Sequence, residues 1–356
     1  MNAEFWRGRS VFLTGHTGFK GAWLGLLLSR LGAKVTGYAL LPDIDRALFN
    51  VARVNERITS VTGDVRDLGS LKAAMTTAAP DVVFHLAAQA LVLPSYEAPL
   101  ETFATNVMGT ANVLEAARAL PSVRAMVVVT SDKVYENREW IWGYRENDGL
   151  GGRDPYSGSK ACAEIVTAAY RASFFKGANV GIASARAGNV IGGGDWAKDR
   201  IVPDFVRATL EGRPLHVRNP LSTRPWQHVL ESLAGYVLLA EKLAAADGTS
   251  RSNFEAGWNF GPTADAIQPV SVLADALASR WGERASWRHT STEQPHEARS
   301  LTLDSSKAAH QLGWRRRLDF PEAVRWTVDW YKAYARGDDA QATTFAQIES
   351  YRSLSS

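Results

Sequence analysis

Two short segments of the sequence carry the side chains best suited to acid–base chemistry. Asp154–Lys160 (DPYSGSK) places Tyr156 and Lys160 four residues apart, so the two side chains share one face of a helix. An ammonium beside a phenol favours the phenolate and lowers the pKa of the phenol, which predicts that Tyr156 acts as a base near neutral pH. Thr130–Lys133 (TSDK) combines a hydroxyl, a carboxylate and an amine, although a capped turn with an exposed Asp–Lys pair has the same local pattern.

A glycine-rich segment near the amino end has the pattern of a phosphate-binding loop. Thr14–Gly21 (TGHTGFKG) follows an apolar run and precedes a leucine-rich helix, with the glycines spaced GxxGxxG rather than GxGxxG. Glycines permit a tight turn and a close approach of the backbone to a pyrophosphate at the helix N-terminus. We therefore predict a dinucleotide site here, with a purely structural turn as the alternative, and expect His16 to contact phosphate.

The carboxylate that usually contacts the adenosine ribose is missing from the end of the second predicted strand. That strand ends in the sequence YAL, and Asp43 comes only later. The choice between NAD and NADP therefore stays open. Asp64 and Val65 follow the third strand, where a carboxylate can meet the adenine amino group, and a turn or cap role for Asp64 is the alternative.

Alternating strands and helices are needed to position these segments, and the apolar runs predict them. Strands are expected at Ser10–Thr14, Lys34–Tyr38, Arg57–Thr62, Asp81–Leu86, Arg124–Thr130 and Asn179–Ala185, and helices at Ala22–Leu31, Thr102–Leu120 and Tyr156–Tyr170. Apolar runs separated by helices indicate an α/β fold with a doubly wound parallel sheet covered on both faces. Such a sheet binds its ligands at the carboxyl ends of its strands, where TSDK lies.

The composition excludes several classes of protein. Of 356 residues, 46% are hydrophobic and 22% are charged, which is ordinary for a globular chain and excludes a fibrous or disordered one. No apolar run reaches the roughly 18 residues that span a bilayer, and the amino end lacks the pattern of a signal peptide, so we expect a cytoplasmic protein without a membrane partner. The net charge of +3, from 40 basic and 37 acidic side chains, argues against nucleic acid as a partner. One cysteine and no HxH or HExxH spacing predict no metal.

Taken together, the motifs resemble those of the extended short-chain dehydrogenase/reductase superfamily. The segments that carry the resemblance are TGHTGFKG, HLAAQ at 85–89, TNVMGTANVLEA around Asn106, and YSGSK. Within that superfamily the chain is similar to the CDP-glucose 4,6-dehydratases, above all in TSDKVYE at 130–136, GNVIGGGDWAKDR at 188–200 and RNPLSTRPWQHVLE at 218–231. The resemblance implies a Rossmann domain with bound NAD. It also implies conversion of CDP-D-glucose to its 4-keto-6-deoxy product and water, as in deoxysugar biosynthesis.

The resemblance implies a role for each catalytic candidate. Tyr156, beside Lys160, takes the proton of the 4-hydroxyl group while C4 gives a hydride to NAD, and Ser131 hydrogen-bonds the 4-oxygen. Asp132 then protonates the leaving 6-hydroxyl group, and Lys133 removes the proton at C5. The hydride finally returns to C6, so the cofactor is recycled.

Two further sets of residues are expected to bind the ligands. Around NAD the resemblance implies Gly15, His16, Thr17, Gly18, Phe19, Lys20, Gly21, Asp64, Val65, Leu86, Ala87, Ala88, Gln89, Asn106, Thr130, Tyr156 and Lys160. For the nucleotide sugar it implies Asn189, Trp196, Asp199, Arg200, Arg224, His228 and Arg299. Arg224 and Arg299 can clamp a pyrophosphate through paired hydrogen bonds, and a surface salt bridge is the alternative for each.

The chain is expected to divide into two domains. Residues 1–185 with about 229–260 are expected to form the NAD-binding domain, and about 186–228 with 261–356 the smaller nucleotide-sugar-binding domain. A homodimer or homotetramer is expected, because the helices near 102–120 and 156–170 commonly pair between subunits in the superfamily. Glu136 is the other candidate for the base at C5. At the position of Lys133 itself, the dTDP-glucose enzymes typically have glutamate. A 4-epimerase, an enzyme acting on another nucleotide hexose, and a non-catalytic NAD-binding regulator remain alternatives.

Overall fold

A parallel β-sheet forms the centre of the molecule. The computed structural model describes residues 1–246, 248–282, 285–290 and 300–354. In these residues the strands are β1 (Ser10–Thr14), β2 (Lys34–Ala39), β3 (Thr59–Thr62), β4 (Val82–His85), β5 (Ala125–Val129), β6 (Gly181–Arg186), β7 (Val190–Ile191), β8 (Leu215–Val217), β9 (Thr223–Pro225), β10 (Gln227–His228), β11 (Gly257–Asn259), β12 (Ile267–Pro269) and β13 (Trp287–His289).

Helices cover both faces of this sheet. They are α1 (Ala3–Trp6), α2 (Phe19–Arg30), α3 (Leu48–Val51), α4 (Leu68–Ala78), α5 (Val92–Glu97), α6 (Pro99–Phe103), α7 (Gly109–Arg118), α8 (Pro155–Tyr170), α9 (Ile201–Leu210), α10 (Val229–Ala245), α11 (Gly248–Arg251), α12 (Val270–Trp281), α13 (Phe320–Ala335) and α14 (Ala340–Ser353). None of the described helices is long and apolar enough to cross a membrane.

The strand order of the main sheet is β11-β6-β5-β4-β1-β2-β3, and every neighbouring pair is parallel. The order reverses between β1 and β4, where Thr14 lies opposite His85. This reversal opens a crevice at the carboxyl ends of the two strands, which is where doubly wound sheets bind their ligands. The predicted fold class is therefore confirmed.

The apolar strands account for the parallel arrangement. All five residues of β5 are buried, because helices cover both faces of the sheet and leave no polar side to the strand. On one face the core joins α2, α10, α13 and α14, with Trp23, Trp258 and Trp330 fully buried. The other face packs on α4 and α7. Large aromatic side chains thus fill much of the interior between the sheet and its helices.

Two predicted elements differ in detail from the structure. The helix expected from Ala22 already begins at Phe19, so the last glycine of the TGHTGFKG loop belongs to its first turn. The long helix expected at Thr102–Leu120 consists of α6, a π-helical turn at Ala104–Met108, and α7. Such turns insert one residue into a helix and redirect side chains, often at functional sites.

The second half of the chain adds short strands beside the main sheet. β7 pairs with β10, β9 with β12, and β8 with β13, each as a two-stranded ladder. β11 returns to the main sheet and pairs with β6, with Gly257 opposite Ser184. The division into two domains stays a prediction.

Candidate active site

The glycine loop has a backbone that only glycine allows at two positions. Gly15 has a φ of +77°, and a Cβ there would lie 2.6 Å from the backbone nitrogen of Ala87. A Cβ on Gly21 would lie 2.0 Å from the carbonyl oxygen of Gly15. Gly18 is the N-cap of α2 and provides no side chain to satisfy the first amides of the helix. The helix N-terminus therefore offers free N–H groups and a positive dipole end to an anion, which fits a pyrophosphate.

The far end of this crevice contains Asp64. Arg66 donates two hydrogen bonds to its Oδ2, at 2.8 and 2.6 Å, and these bonds hold the pKa of Asp64 below its usual range. The Tyr38 hydroxyl donates to the backbone carbonyl of Asp64 at 3.2 Å. Asp64 thus presents an ordered carboxylate beside β2 and β3, at the place expected to meet an adenine amino group.

His16 occupies a different environment from the one expected. Its imidazole is buried beside Gly37 in β2, contacts the Phe49 ring edge-on at 5.3 Å, and pairs with the Ser60 hydroxyl at 2.7 Å. Burial lowers the pKa of His16 to about 4, so the ring is neutral at physiological pH. The ring is therefore packed under the loop as a neutral group, and a contact of His16 with phosphate stays a prediction.

At the end of β4, a hydrogen-bond network orders the HLAAQ segment. The Asn106 side chain, on the π-helical turn, accepts from the Gln89 backbone N–H and donates to the Gln89 carbonyl, each at 2.9 Å. It also donates to the Ser159 hydroxyl of α8 at 2.8 Å. His85 pairs with Thr14 and Thr110, as expected for a core histidine. The network joins the crevice wall to the helix that carries Tyr156 and Lys160.

Five side chains, which we call the reactive cluster, lie where β5 ends and α8 begins: Ser131, Asp132, Lys133, Tyr156 and Lys160. The Ser131 hydroxyl donates to Asp132 Oδ1 at 3.0 Å, and Lys133 Nζ donates to the same oxygen at 3.1 Å. Asp132 is only 1% exposed, and its Oδ2 has no hydrogen-bond partner within the described residues. A Cβ on Gly188 would lie 2.9 Å from that Oδ2. One carboxylate oxygen of Asp132 is therefore saturated, and the other is left for a ligand or a proton.

Helix α8 aims the phenol and the ammonium from its first turns. Asp154 caps the helix by accepting from the Ser157 N–H, and Pro155 occupies the first position. Burial raises the pKa of Tyr156 above its usual value, while Lys133, Ser131 and Arg200 act to lower it. Lys160 Nζ donates instead to the carbonyl oxygen of Val129, at 3.3 Å. An effect of Lys160 on the pKa of the phenol stays a prediction.

Two residues near the reactive cluster did not stand out in the sequence as catalytic candidates. Lys20, in the first turn of α2, donates to the Tyr236 hydroxyl at 3.4 Å. Burial and the nearby Arg200 lower the pKa of Lys20 to about 7, and Asp132 opposes the shift. Tyr236 lies on α10, is fully buried, and has a pKa raised by burial. Only the fold could reveal this pair, since its members are 216 positions apart.

Behind the reactive cluster lies a second buried polar group, the scaffold cluster, formed by Thr130, Tyr135, Glu164, Ser184 and Arg186. Arg186 donates to both oxygens of Glu164, at 2.9 and 2.8 Å, and to the Tyr135 hydroxyl at 2.6 Å. Thr130 and Ser184 donate to the same carboxylate, at 2.5 and 2.6 Å. Burial acts to raise the pKa of Glu164, but these donors outweigh it and hold the pKa below its usual range. The cluster ties β5, β6 and α8 together one helical turn after Lys160.

Burial lowers the pKa of Lys160 to about 8, and the Glu164 carboxylate opposes that shift. The charge state of the ammonium therefore depends on the scaffold cluster as well as on its own surroundings. Among the residues that the structure describes, no three His, Cys, Asp or Glu side chains are grouped to hold a metal ion.

The charged residues expected to contact the nucleotide sugar differ in their burial and in their partners. Arg200 donates to Asp195 Oδ2 at 2.9 Å and interacts with the Tyr156 phenol, so it reaches the reactive cluster. Arg224, on β9, is buried and donates to the Thr223 carbonyl at 2.9 Å. Asp199 is exposed, 3.7 Å from Arg218. Arg299 lies outside the described residues.

Asn189 and Glu136 differ in their burial and in their hydrogen-bond partners. The side-chain oxygen of Asn189 is buried and has no hydrogen-bond partner within the described part of the chain, as expected of a group that awaits a ligand. The Glu136 side chain is 60% exposed and pairs with Arg138 at 3.1 Å. Glu136 therefore lies in solvent, whereas Lys133 contacts Asp132 directly.

Two residues expected to contact the sugar are enclosed by aromatic side chains, and their contact with the sugar stays a prediction. Trp196 is buried and packs on Tyr331 and Tyr334, with ring centroids 5.3 and 5.5 Å away. His228 is fully buried between Trp23 and Trp326, and burial lowers its pKa to about 3. Both side chains are parts of the core, because the aromatic neighbours that enclose them come from distant α2 and α13.

Comparisons with known proteins agree with this architecture. Residues 12–327 match the family model described as GDP-mannose 4,6-dehydratase. A curated CDP-glucose 4,6-dehydratase of Salmonella typhimurium is 48% identical over 358 aligned residues, covering 99% of each chain. A dTDP-glucose 4,6-dehydratase of Streptomyces antibioticus is 31% identical, covering 77% of this chain and 76% of the relative.

Solved structures show the same fold. MoeE5 in complex with UDP-glucose and NAD aligns with a TM-score of 0.76 and 25% identity, covering 92% of this chain and 99% of that one. UDP-glucose 4-epimerase from Thermotoga maritima, solved with UDP-glucose, aligns with a TM-score of 0.79 and 21% identity, covering 91% and 99%. The second likeness concerns the fold alone, whereas the curated relatives share sequence along most of the chain.

Proposed function

The chain belongs to the GDP-mannose 4,6-dehydratase family, and from this premise we propose that it is an NAD-dependent nucleotide-sugar 4,6-dehydratase, a hydro-lyase acting on CDP-D-glucose. The observation that carries the proposal is the reactive cluster. A phenol, a carboxylic acid and an amine lie together at the carboxyl edge of the sheet, beside the glycine loop. Dehydration across C5 and C6 needs an acid and a base in addition to the group that serves O4, and Asp132 and Lys133 supply them.

The glycine loop fits NAD. The two positions without room for a Cβ and the uncapped N-terminus of α2 form a cradle for the pyrophosphate, and Asp64 lies where the adenine amino group is expected. NAD supplies reversible hydride chemistry when it is bound, so it is not consumed overall. We assign the holding of the cofactor to the backbone of 15–21, to the walls at Leu86–Gln89 and Val65, and to Lys160, whose ammonium is buried beside the end of β5.

The first step needs a base at O4. Tyr156 accepts the proton of the 4-hydroxyl group, and the Ser131 hydroxyl hydrogen-bonds the same oxygen and fixes its direction. Burial of the phenol disfavours the phenolate, and the Arg200 cation offsets part of that cost. The 4-ketone formed in this step makes the proton at C5 acidic.

The elimination needs a base at C5 and an acid at O6. Lys133 removes the C5 proton and later returns it. Asp132 holds the acidic proton at Oδ2, the oxygen without a partner in the described residues, and gives it to the departing 6-hydroxyl group. Glu136 is not assigned this role, because its side chain lies in solvent, paired with Arg138.

The phosphates and the sugar meet the groups on the other side of the crevice. We assign the substrate pyrophosphate to Arg224, with Arg299 as its expected partner, and the sugar hydroxyl groups to Arg200, Asp199 and the Asn189 amide. CDP is proposed as the nucleotide because the relative that shares 48% of its residues over the whole chain carries that name.

A homodimer is proposed on the helix layer formed by α6, α8 and the π-helical turns at Ala104–Met108 and Arg171–Phe175. Large apolar side chains are exposed there, most of all Leu100 at 85%, with Met108, Ile165 and Phe174 at 50% or more. Monomeric proteins rarely expose such a set on neighbouring helices. Light scattering on the purified protein should give twice the chain mass of 38.9 kDa for a dimer, and four times for the tetramer that is the alternative.

The test of the proposed function is a substrate panel. The purified protein is incubated with CDP-, dTDP-, GDP- and UDP-hexoses, and the 4-keto product is scored by its absorbance in alkali. We expect CDP-glucose to give the largest yield. A product epimerised at C4, without a 4-keto chromophore, would favour the alternative epimerase. In that case Asp132 and Lys133 would take no part in the reaction.

A further inference from the structure

The first turn of α8 must stay in place for Tyr156 to act on the sugar. Tyr156 is the second residue of this helix, after Pro155, so the backbone of the first turn aims its phenol. The first N–H groups of a helix have no partner within the helix, and helix ends fray. The Asp154 carboxylate accepts from the Ser157 N–H at 2.9 Å. The Tyr156 N–H therefore needs a partner from outside α8.

Ser95 provides that partner from α5. Its hydroxyl oxygen accepts from the Tyr156 N–H at 3.1 Å, and the same hydroxyl group donates to the Val92 carbonyl oxygen at 2.6 Å. Ser95 is fully buried and Tyr156 is 8% exposed, so water has little access to replace this bond. A single hydroxyl group thus uses its donor and one acceptor site to tie α5 to the residue that carries the phenol.

The carbonyl group of Tyr156 is held in a similar way. The buried Ser159 hydroxyl donates to the Tyr156 carbonyl oxygen at 2.7 Å and accepts from the Asn106 side chain at 2.8 Å. Asn106 also bonds to both backbone groups of Gln89, so its own position is fixed. Hydroxyl groups therefore hold Tyr156 at its N–H and at its carbonyl oxygen, and Ser95 is the one that comes from another helix.

We propose, on the basis of the proposed function, that Ser95 is a positioning residue, which fixes the Tyr156 phenol for the reaction at O4 through the hydrogen bond to the Tyr156 N–H. Without that bond the N–H is left unpaired in a buried place, and the first turn of α8 shifts to find another partner. A displacement of about 1 Å at a reacting group can slow a reaction by about 10². Because the Ser159 bond remains, we expect a loss of about tenfold in the step that uses Tyr156.

The test isolates the oxidation at C4. CDP-xylose has no C6, so it can give its C4 hydride to NAD but cannot lose water. Stopped-flow absorbance of the reduced cofactor, at saturating CDP-xylose, gives the rate constant of this one step, and titration with NAD counts the intact sites in each preparation. In Ser95→Ala we expect this rate constant to fall by about tenfold, with an unchanged number of sites.

Thr167→Val is the matched control on the same helix. Thr167 is fully buried, and its hydroxyl donates to the Ala163 carbonyl oxygen at 2.7 Å, three turns away from Tyr156. Both variants delete one buried hydroxyl group and should lower the melting temperature by about 2 °C. Only Ser95→Ala should slow the C4 oxidation, and only Ser95→Ala should speed hydrogen exchange in the first turn of α8.

Two results would overturn the proposal: a rate constant in Ser95→Ala equal to that of the unchanged protein, or equal slowing in Thr167→Val. In either case Ser95 would be a structural cap. Ser95→Cys nearly keeps the shape of serine and serves if the alanine variant does not fold. Sulfur is a weak acceptor, so the rate constant of Ser95→Cys should fall by about threefold, and no fall would overturn the proposal as well.

Failure of the proposed function is observed separately, in the unchanged protein. If that protein makes neither reduced cofactor from CDP-xylose nor a 4-keto product from CDP-glucose, the proposed function is wrong and the role of Ser95 falls with it. If it makes both, the comparison of Ser95→Ala with Thr167→Val decides on Ser95 alone.

Discussion

The reactive cluster and the scaffold cluster share helix α8, lie one turn apart, and are both buried, yet their polar atoms are satisfied to different degrees. Every oxygen of the Glu164 carboxylate has two donors, from Arg186, Thr130 and Ser184. In contrast, Asp132 has two donors on one oxygen and none in the described residues on the other. A saturated buried charge holds elements together, whereas an unsaturated one costs free energy that a ligand can recover.

The charges of the two clusters differ as well. Glu164 and Arg186 form a balanced pair that pins strand to helix. Around Asp132, the basic side chains of Arg200, Lys160 and Lys133 all act to lower the pKa of Lys20, and Arg200 also pairs with Asp195 at 2.9 Å. This excess of positive charge suits a site that receives phosphates and a developing oxyanion. The scaffold cluster has no such excess of positive charge, and no phosphate or oxyanion is assigned to it.

The largest effect on turnover is expected from Lys133→Met. Loss of the base at C5 should reduce kcat by about 10² to 10⁴, the range typical of general base catalysis. Exchange of the C5 hydrogen with solvent deuterium should vanish in parallel. If turnover and exchange both survive within about threefold, Lys133 is not the base and the reactive cluster works differently.

The largest effect on stability is expected from Arg186→Met. This change leaves Glu164 charged and unpaired in the interior, which should lower the free energy of unfolding by about 3 to 5 kcal/mol in guanidinium titrations. The double variant Arg186→Met/Glu164→Leu removes both charges and should recover most of that loss. A single variant that loses less than about 1 kcal/mol would show that the scaffold cluster is not what holds α8 on the sheet.

A smaller effect on turnover should follow from Gly188→Ala. The added Cβ lies 2.9 Å from Asp132 Oδ2, so the carboxyl group must shift, and we expect kcat to fall by about tenfold with little change in melting temperature. Gly149→Ala is the matched control, since its Cβ would meet nothing nearer than Glu136 Oε2 at 3.7 Å. Equal kcat values for the two variants would contradict an acid proton held beside Gly188.

The smallest effect concerns the pH dependence of stability in Lys20→Met. Burial lowers the pKa of Lys20 to about 7 in the folded protein, so the folded protein binds fewer protons than the unfolded chain between that pH and about 10.4. The charged Lys20 side chain therefore lowers the free energy of unfolding of the ligand-free protein by its full amount below pH ~7. This loss becomes smaller as the pH rises.

Lys20→Met should accordingly raise the melting temperature, by on the order of 2 °C near pH 6, and the gain should shrink toward pH ~10. Differential scanning calorimetry at several pH values measures it. A gain that is the same at every pH, or a loss at low pH, would show that Lys20 is not a buried cation.

Local patterns in the sequence predicted the reactive cluster but could not predict its surroundings. The spacing of Tyr156 and Lys160 and the glycine loop were recognisable because each lies within one helix or turn, where spacing fixes geometry. The burial of His228 and Trp196 could not be predicted, because it depends on aromatic residues from distant helices. Lys20 with Tyr236, and Glu164 with Arg186, needed the fold for the same reason: the sequence separation of a pair says nothing about its contact.

Transfer of deuterium within the sugar tests the central claim most directly. CDP-glucose labelled with deuterium at C4 is incubated with the purified protein, and the product is analysed by mass spectrometry and proton NMR. If one phenol, one acid and one amine act on a single hexose beside one nicotinamide, the deuterium should appear at C6 of a 4-keto-6-deoxy sugar. Loss of the label to solvent, or its retention at C4 of an epimerised sugar, would contradict the account.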